Sequence, residues 1–390
     1  MPLKDFSVAV VGGGVCGLAA AYALSRAGPN AIRALEVLGL LQPLLSRVGP
    51  SELKTRFTKF ISGSARHELI FDYETAMAHP EKHAGLGLHR AVFLDMLLDL
   101  LNPSTIHLQK RCIEIEPRDS GGVVISFADG STYEADVVIG ADGIRSVTRD
   151  FVIGQESPSP LVFTNTVAYR GLANHDELIR SGIQSDLGKG PLYFISPGKI
   201  NLVAFASDHQ KPLVPELPLP WVDSVSKEEV KNTFSECGPD TKILIDHLNM
   251  PNKWSIHACM PPLTSYVRGK VVLVGDAAHG MLPFLGAGAG QGIEDVVLLT
   301  ELLAHAQTRK DNIKDVLAVY DIVRPPRANY VLEASTRAGQ IYGDTNPVQD
   351  DFCKMARQLE RIWGHDIGED VVACIQMLCD RGIFASNTSE

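Results

Sequence analysis

Three short apolar runs, each followed by a glycine turn, mark the framework of the chain. The runs lie at Val8–Val11, Val137–Ile139 and Val271–Val274. An apolar run without polar alternation indicates a strand that is buried on both faces, as in a parallel sheet. An Ala- and Leu-rich stretch, Leu18–Leu24, follows the first run, and a helix pattern rich in Val and Leu follows the third. The pattern therefore predicts an α/β fold with a Rossmann-like domain.

The middle of the chain follows a different pattern. Short β-rich runs at Phe163–Gly171, Pro191–Ile195 and Ile200–Ala206 are bounded by Gly, Pro and Asn. They predict a smaller domain that contains a β-sheet. We expect the Pro-rich segment Lys211–Trp221 to be a loop of this domain.

The spacing of apolar residues at Asp311–Tyr320 and Met355–Trp363 predicts amphipathic helices near the C-terminus. Residues 51–84 are compatible with strands. Together these patterns predict two interleaved domains and a C-terminal extension. The larger domain is discontinuous over residues 1–50, 85–155 and 265–345, the smaller one covers 51–84 and 156–264, and a helical region with a tail covers 346–390.

Composition narrows the class of protein. With 390 residues, 45% of them hydrophobic and 21% charged, the chain is long enough for two domains with a substantial core. A net charge of −10 and the lack of a basic run argue against nucleic acid as a partner. No 18-residue apolar run is present, and the first strand begins too early for a signal peptide. The seven cysteines are scattered without a C-x-x-C pair, so we expect reduced thiols, a cytoplasmic protein and no metal site.

The first glycine turn has the spacing of a dinucleotide-binding motif. Gly12, Gly14 and Gly17 satisfy G-x-G-x-x-G between a strand and a helix. Gly12 would form the tight turn, Gly14 would let a pyrophosphate reach the backbone, and Gly17 would let the helix approach the strand. A plain glycine-rich turn is the alternative, but the strand–motif–helix context favours a dinucleotide site.

The other two glycine turns carry carboxylates. Asp142 follows the second run in an Ala-Asp-Gly turn, which is ordinary on its own. Asp276 ends the third run and precedes a loop with few side chains, Gly286–Gly290, which leads into a helix. Backbone N–H groups of such a loop can approach a phosphate or an electron-rich ring, and Asp276 can accept hydrogen bonds from a polyol. The three turns together predict a flavoprotein.

These motifs, in this order, resemble those of the single-component FAD-dependent aromatic monooxygenases, the salicylate and para-hydroxybenzoate hydroxylase-like family. The resemblance runs from about Val8 to about Gly339. The string Leu88-His89-Arg90-Ala91 looks like the helix that carries the family's flavin-contacting arginine, here Arg90. The string Arg324-Pro325-Pro326-Arg327 resembles the family's segment before the helix that follows the flavin domain.

The resemblance implies an FAD-binding domain interleaved with a substrate domain. It implies that NAD(P)H and O₂ are co-substrates and that a flavin hydroperoxide hydroxylates a small phenol or salicylate-like ring. Asp276 would contact the ribityl and pyrophosphate region, Asp142 the pyrophosphate side, and Pro283 would shape the loop that faces the substrate. The implied cofactor-binding residues are Gly12, Gly14, Gly17, Arg90, Asp142, Asp276, Pro283, Gly286, Ala287, Gly288 and Ala289.

The predicted substrate domain contains candidates for orienting an aromatic substrate. Tyr169 and Arg170 lie in one β-rich run and Tyr193 lies in another. By resemblance to fungal-type phenol hydroxylases, we expect Arg170 to pair with a carboxylate or phenolate and Tyr193 to donate a hydrogen bond. A tyrosine in a strand is, however, commonly part of a core. For His279, in the third motif, we expect a structural rather than an acid–base role.

The chain departs from the family after its first helix. The string Pro29-Asn30-Ala31-Ile32-Arg33-Ala34-Leu35-Glu36-Val37-Leu38-Gly39 has the pattern of a capped helix. A Rossmann unit would have a second strand here, ending in an acid for the adenosine ribose. By comparison with the family, roughly twenty residues that include this strand are absent. Glu36 stands near the spacing of the ribose acid, but we interpret it as an exposed helix glutamate.

The missing segment leaves several outcomes open. Another segment fills the space, FAD binds weakly, or the chain is a defective form. The rival interpretation is therefore a non-catalytic relative that has lost FAD binding, and a low flavin content would favour it. An FAD-dependent epoxidase that acts on an apolar substrate is a rival within the same class. We expect a monomer or a homodimer.

Overall fold

The computed structural model describes residues 4–25, 38–48, 59–61, 68–72, 75, 90–119, 121–154, 157–183, 194–196, 199–343 and 348–386. The strands in these residues are β1 (Val8–Val11), β2 (Lys59–Ile61), β3 (Leu69–Asp72), β4 (Cys112–Arg118), β5 (Gly122–Phe127), β6 (Thr132–Ala135), β7 (Val137–Gly140), β8 (Leu161–Asn174), β9 (Phe194–Ser196), β10 (Lys199–Ser207), β11 (Val214–Pro215), β12 (Val222–Ser224), β13 (Asn249–Cys259), β14 (Val267–Arg268) and β15 (Val271–Leu273).

The α-helices of the same residues are α1 (Val15–Ser25), α2 (Leu41–Val48), α3 (Arg90–Leu100), α4 (Val147–Ile153), α5 (His175–Arg180), α6 (Lys227–Thr233), α7 (Pro239–Asp246), α8 (Asp276–His279), α9 (Gly288–Ala304), α10 (Ile313–Tyr342), α11 (Gln349–Trp363) and α12 (Ile367–Asp380). Short 3₁₀ turns lie at Pro103–Thr105 and Pro283–Leu285. Within the described residues, no helix is long and apolar enough to cross a membrane.

The predicted parallel strands lie side by side. One sheet has the strand order β1, β7, β15, β14, and the first three of these strands are parallel neighbours. Every residue of β7 and β15 is buried, which explains why both runs are apolar throughout. Because the strands are parallel, the glycine turns at their carboxyl ends meet at one edge of the sheet. This edge is where α/β folds bind their ligands.

Strand β1 lies at the edge of this sheet in the described part of the chain. Its only strand neighbour there is β7. Helix α1 ends at Ser25, and Glu36 falls in residues 26–37, outside the described residues. The expectation that a segment beside β1 is missing therefore stays a prediction.

Two small antiparallel sheets join the larger elements. Strands β4, β5 and β6 form a meander between α3 and β7. Strands β2 and β3 pair with each other within residues 51–84, which we expected to be compatible with strands. In this pair, Phe60 and Phe71 contact Phe352 of α11. The pair therefore packs against the C-terminal helices.

The second large sheet is centred on β8, which spans 14 residues. Its strand order is β12, β13, β8, β10, β9, and β11 also pairs with β8. One face of the sheet is covered by α6 and α7, where Val230, Ile245 and Leu248 pack with Tyr169. This is the smaller sheet that the β-rich runs predict. Apart from the two-residue β11, the Pro-rich segment is a loop, as expected. The domain boundaries themselves remain a prediction.

Helices α9 and α10 form the core next to the parallel sheet. Val296–Leu299 of α9 are completely buried. The expectation that Arg324–Arg327 precedes a helix is wrong, because this string lies inside the 30-residue α10. Proline usually breaks a helix. Here the ion pairs of the buried Arg324 with Glu294 and Asp295, before the two prolines, and of Arg327 with Glu294, after them, tie this part of α10 to α9. The predicted C-terminal helices are confirmed, and α12 packs against the same core.

Candidate functional site

The first glycine turn is as tight as its motif predicts. A Cβ atom on Gly12 would lie 2.2 Å from the carbonyl oxygen of Ala141, and one on Gly17 would lie 1.9 Å from the carbonyl oxygen of Gly12. Gly12 also has a positive φ of 121°, a conformation that side chains disfavour. Both positions therefore require glycine, one for the contact between β1 and β7 and one for the approach of α1. The backbone at Gly14 is more open.

The Arg90 side chain lies over this turn. It is the first residue of α3, and its side chain is exposed. A Cβ atom on Gly14 would lie 3.9 Å from Nη2 of Arg90. The guanidinium is thus within reach of a phosphate or flavin group bound at the turn. Its role toward a cofactor remains a prediction.

The first and third motifs interlock through Cys16. A Cβ atom on Gly275 would lie 2.6 Å from the Cys16 Sγ, and one on Gly292 would lie 2.3 Å from the same atom. The Cys16 side chain therefore fills a gap that exists only because both facing residues are glycine. Burial and the nearby carboxylates of Asp295 and Asp276 raise the pKa of the Cys16 thiol well above its ordinary value. We conclude that Cys16 is a packing residue rather than a nucleophile.

Asp276 presents a carboxylate at the carboxyl end of β15. It is exposed, although Gly275 and Ala277 on either side are buried. A Cβ atom on Gly288 would lie 3.9 Å from Asp276 Oδ1, so the carboxylate lies beside the first turn of α9. No hydrogen bond joins this carboxylate to another residue in the described part of the chain. Its oxygens are therefore available to a bound polyol.

The loop between α8 and α9 has little side-chain bulk. Pro283 begins a 3₁₀ turn that ends at Gly286, whose φ of 61° is left-handed. Ala287 precedes α9, and the helix begins at Gly288. Pro283, Gly286 and Ala289 are exposed. The first N–H groups of α9 thus face outward beside Asp276, an arrangement suited to negative charge.

Asp142 has partners inside its own turn. Ser146 Oγ donates to Asp142 Oδ1 at 2.5 Å, and the Thr148 N–H donates to Oδ2 at 3.0 Å. The carboxylate therefore caps the start of α4. Arg149, almost completely buried, donates from Nη1 to the carbonyl oxygen of Ala277 at 3.3 Å. The second motif is thereby fixed to the third, while a contact of Asp142 with the cofactor remains a prediction.

A buried network of charges lies directly behind Asp276. Asp295 Oδ2 accepts hydrogen bonds from the Gly275 N–H at 2.8 Å and lies 2.6 Å from His279 Nε2. Its other oxygen accepts from Arg324 Nε at 2.8 Å. Burial alone would raise the pKa of Asp295, but His279 and Arg324 outweigh it and hold the pKa below its ordinary value. The network fixes the backbone that carries Asp276, and it gives His279 the structural role that we expected.

Sequence reasoning missed this network. The available signal was a pair of acids, Glu294 and Asp295, in an otherwise apolar stretch of helix. Arg324 Nη1 donates to Glu294 Oε2 at 2.9 Å, and Arg327 also pairs with Glu294. No pattern in the sequence shows that these arginines, about thirty residues further along the chain, contact the acids of α9. In the described residues, no cluster of His, Cys, Asp and Glu could hold a metal ion.

Arg170 lies on the face of the second sheet that contacts the loop between α8 and α9. It pairs across the sheet with Val203, and Ala168 pairs with Phe205. Directly opposed residues share a face, and so do residues two apart on one strand. The Phe205 ring lies 5.0 Å from the ring of Phe284, in the 3₁₀ turn after Pro283. Arg170 therefore shares the face that meets this loop. Its side chain is exposed, and its Nε donates to Asn201 Oδ1 at 3.2 Å.

Of the two tyrosine candidates, Tyr169 and Tyr193, the structure describes only Tyr169. Tyr169 points away from Arg170, into the cluster beneath α6, where its hydroxyl donates to Glu229 Oε1 at 3.1 Å. It is therefore a core residue. Tyr193 lies outside the described residues. The structure thus brings Arg170, but not Tyr169, to the face near the loop.

The Pro-rich loop contacts the second motif. The Trp221 ring stacks on His257 at 3.7 Å, and the Arg145 guanidinium lies 5.6 Å from the centre of the Trp221 ring. His257 is buried, and its Nε2 accepts a hydrogen bond from the Leu217 N–H. This stack joins the second sheet to the turn that carries Asp142.

Comparison with known proteins connects this geometry to a family. The profile of the family described as FAD binding domain matches residues 119–335. Salicylate hydroxylase from Pseudomonas putida is 32% identical over an alignment that covers 93% of each chain. The 6-methylsalicylate 1-monooxygenase of Aspergillus terreus is 30% identical, with 96% of this chain and 92% of that protein covered.

Solved structures are similar over nearly the whole chain. A salicylate hydroxylase substrate complex has a TM-score of 0.81 and 33% identity, and 95% of this chain and 98% of that chain are covered. Klebsiella pneumoniae HpxO, complexed with FAD and uric acid, has a TM-score of 0.68 at 22% identity, with 96% and 98% covered, and it shows the same fold.

The length of one alignment is informative in itself. The alignment with P. putida salicylate hydroxylase spans 415 positions, more than the 390 residues of this chain. That relative therefore has residues without a counterpart here. The expectation that a segment is missing after α1 stays a prediction, because the length of the alignment does not place these residues.

Proposed function

The chain belongs to the family of FAD-dependent aromatic monooxygenases, and from this premise we propose that it hydroxylates a salicylate-like ring with NAD(P)H and O₂. The overall reaction consumes the arene, NAD(P)H, a proton and O₂, and it yields the hydroxylated arene, NAD(P)⁺ and water. The observation that carries the proposal is the meeting of three glycine turns at one sheet edge, with the Arg170 face of the second sheet adjoining the same loop. The substrates named for the relatives support a hydroxybenzoate with a free carboxylate.

The described residues fit the flavin portion of FAD. The open backbone at Gly14 and the Arg90 guanidinium would hold the phosphates. The Asp276 carboxylate would accept hydrogen bonds from ribityl hydroxyls. The N–H groups at the start of α9 would stabilise negative charge on the bound ring, as preorganised donors do. When bound, FAD supplies the redox chemistry and the activation of O₂.

Arg170 would orient the substrate. A guanidinium can bind a carboxylate with two parallel hydrogen bonds, which fixes the plane of the attached ring. The exposed position of Arg170 leaves it free to do so, and Asn201 holds its Nε. We assign the same orienting role to Tyr193, whose hydroxyl would bind the phenolic oxygen. Neither residue moves a proton in this scheme.

The cysteines support our proposal that the enzyme works in the cytoplasm. All seven are free thiols in the structure, which supports a reducing compartment such as the cytoplasm. We further propose that the working form is a monomer or a homodimer. A size measurement in solution by light scattering would test that part of the proposal.

The proposal is tested by flavin content and coupled turnover. The purified chain, supplied with FAD, should show flavin absorption bands and bind close to one flavin per chain. Salicylate should then stimulate NADH or NADPH oxidation, and ¹⁸O from O₂ should enter the product. Benzoate, which lacks the hydroxyl, is the matched control and should be poorly hydroxylated. Flavin binding without any stimulation by salicylates or phenols would overturn the proposed substrate class.

A non-catalytic relative is the second candidate. The observation that favours it is that β7 is the only strand neighbour of β1 within the described residues, whereas a Rossmann site normally has a further strand on the other side. This candidate predicts that the chain neither retains flavin nor binds added FAD at about 100 μM, a Kd that corresponds to roughly −5.5 kcal/mol. Stoichiometric FAD binding would exclude it.

A further inference from the structure

Alternate residues of β10 form a row on the Arg170 face of the second sheet. Asn201, Val203 and Phe205 are two apart along the strand, so their side chains share one face. Val203 pairs with Arg170 across the sheet, and Arg170 Nε donates to Asn201 Oδ1 at 3.2 Å. Because Asn201 and Phe205 lie on opposite sides of Val203, the guanidinium leans away from Phe205. The row therefore has a positive charge near one end and an aromatic ring at the other.

The surface between these two ends is small and apolar. Val203, in the middle of the row, is 40% exposed, and Ala168, which pairs with Phe205, carries only a methyl group. The row from Asn201 to Phe205 spans roughly 13 Å of strand. A flat ring can lie over Val203 with its carboxylate on Arg170 and its opposite edge against Phe205.

A second ring contacts Phe205 at the same end of the row. The ring of Phe284, which follows Pro283 in the loop between α8 and α9, lies 5.0 Å from the ring of Phe205. Both phenylalanines are half-buried, so part of each side chain remains accessible. The Phe205–Phe284 pair thus joins the second sheet to this loop, at the end of the row furthest from Asn201.

Helix α10 fixes the position of Phe284. A Cβ atom on Gly339 would lie 2.3 Å from Phe284 Cε2, so the ring lies directly on the helix backbone. One helical turn earlier, Ser335 Oγ donates to the Leu282 carbonyl oxygen at 2.7 Å and accepts from the Leu285 N–H at 3.4 Å. These contacts hold both ends of the 3₁₀ turn. The Phe284 ring therefore cannot retreat toward α10 when a ligand presses on it.

We propose that the Phe205–Phe284 pair determines specificity by limiting how far a ring bound at Arg170 extends on the side opposite its carboxylate. The inference rests on the proposed function, because it takes Arg170 as the carboxylate site. The substrates it selects are single-ring hydroxybenzoates without a bulky group para to the carboxylate. A group at carbon 3, beside the hydroxyl, does not point toward the pair. One methylene in a hydrophobic site changes selectivity by about tenfold or more.

The test compares salicylate, 4-ethylsalicylate and 3-ethylsalicylate on the full-length chain supplied with FAD. Product formation gives kcat/KM, and titration calorimetry gives Kd. The native chain should prefer salicylate over 4-ethylsalicylate by about tenfold or more. Phe205→Ala and Phe284→Ala should each reduce this preference to within about threefold, while the preference over 3-ethylsalicylate stays as in the native chain. A preference over 4-ethylsalicylate that is absent from the native chain, or unchanged in both variants, would overturn the inference.

A matched control separates a local effect from a loosened sheet. Phe234 lies on the opposite face of the same sheet, where its ring meets the Tyr169 ring edge-on at 5.9 Å. Phe234→Ala should leave the preference within about twofold of the native value, and an equal relaxation there would count against the pair. If the alanine variants do not fold, Phe205→Leu and Phe284→Leu decide by the same direction of change.

Gly339→Ala tests the support behind the ring. The added Cβ would push the Phe284 ring toward Phe205, so the Kd of salicylate should rise about tenfold. In the Phe284→Ala background the ring is absent, and the same substitution should change Kd less than about twofold. Circular dichroism confirms that each variant is folded. Equal losses in both backgrounds would show that Gly339 acts without Phe284 and would overturn this part of the inference.

Failure of this inference is distinguishable from failure of the proposed function. If salicylate is hydroxylated but the alanine variants keep the native preference, the inference is overturned and the function stands. If the Kd values change as expected but none of the three compounds is hydroxylated, the inference is supported and the function fails. If the chain supplied with FAD binds no hydroxybenzoate, both are overturned.

Discussion

Adding one methyl group at Gly292 should destabilise the native chain but not a variant in which Cys16 is already alanine. In Gly292→Ala the new Cβ would lie 2.3 Å from the Cys16 Sγ, more than 1 Å inside an ordinary contact. The sulfur cannot retreat, because the backbone of Gly275 encloses it on the other side. Overpacking of this kind costs about 1–3 kcal/mol.

A second effect opposes the first. Gly292 lies inside α9, where alanine is favoured over glycine by about 1 kcal/mol. The net loss in the native background is therefore about 0–2 kcal/mol. In the Cys16→Ala background the sulfur is absent, although the Cα of Gly275 at 3.1 Å from the new Cβ remains a close contact. There, Gly292→Ala should be neutral or stabilise by up to about 1 kcal/mol.

The assay is a double-mutant cycle by denaturant unfolding of the flavin-free chain. Four proteins are compared, the native chain, the two single variants and the double variant, at equal m-values. We expect a coupling energy of about 1–3 kcal/mol. A coupling below about 0.5 kcal/mol, the range of independent sites, would refute the idea that one sulfur holds the two motifs together.

Three further predictions follow from other contacts. Asp295→Ala should lower the free energy of unfolding at pH 7 by about 3–5 kcal/mol, because it leaves Arg324 and His279 buried without their partner. The pKa of Asp295 is lowered in the folded state, so its contribution is present above the unfolded value near 3.9 and is lost as the pH falls through the folded pKa. Denaturant unfolding at pH 7 and below pH 4 should therefore show that the difference in unfolding free energy between the native chain and Asp295→Ala is smaller at the lower pH. Arg170→Met should raise KM for salicylate about tenfold or more and change KM for phenol much less, as steady-state kinetics would show. Asp142→Ala should cost about 1 kcal/mol in denaturant unfolding, because it removes the acceptor of the Ser146 and Thr148 hydrogen bonds.

Matched variants separate these effects from general damage. Asp351→Ala removes a half-buried carboxylate of α11 and should change the unfolding free energy by less than about 1 kcal/mol. Arg180→Met, at the end of α5, should leave KM unchanged. A loss below about 1 kcal/mol for Asp295→Ala would contradict the claim that its charges depend on one another. Equal KM changes for salicylate and phenol would contradict a carboxylate-binding role for Arg170.

The glycine turns could be predicted from the sequence because each is determined locally. Gly12, Gly14 and Gly17 lie between a strand and a helix, and their spacing reports a backbone geometry that few other residues permit. The buried parallel strands could be predicted for the same reason, since strands covered on both faces contain no polar positions. Local pattern therefore captured the fold class and the edge of the sheet that carries the turns.

Contacts between distant segments could not be predicted. The helix through Pro325 contradicts local propensity and depends on ion pairs that Arg324 makes with α9. The fit of Cys16 between two glycines depends on backbone positions that no spacing rule encodes. Tyr169 and Arg170 are adjacent in sequence but face opposite sides of the sheet, and only the packing of α6 decides which face is the core. In each case tertiary packing, rather than propensity, fixed the outcome.

The strand order of the parallel sheet has a consequence for biosynthesis. β1 pairs with β7, and β7 pairs with β15, so the sheet joins segments from opposite ends of about 260 residues of chain. At about 5–20 residues per second, β1 is synthesised about 6–26 s before its partner β7 and about 13–50 s before β15. The local meander of β4, β5 and β6 can fold during this interval, because its contacts are short-range. The apolar β1 stays unpaired until β7 is made, and the β1–β7 pair lacks its third strand until β15 is made. We therefore expect the yield of folded enzyme to depend on chaperone protection during translation as well as on native stability.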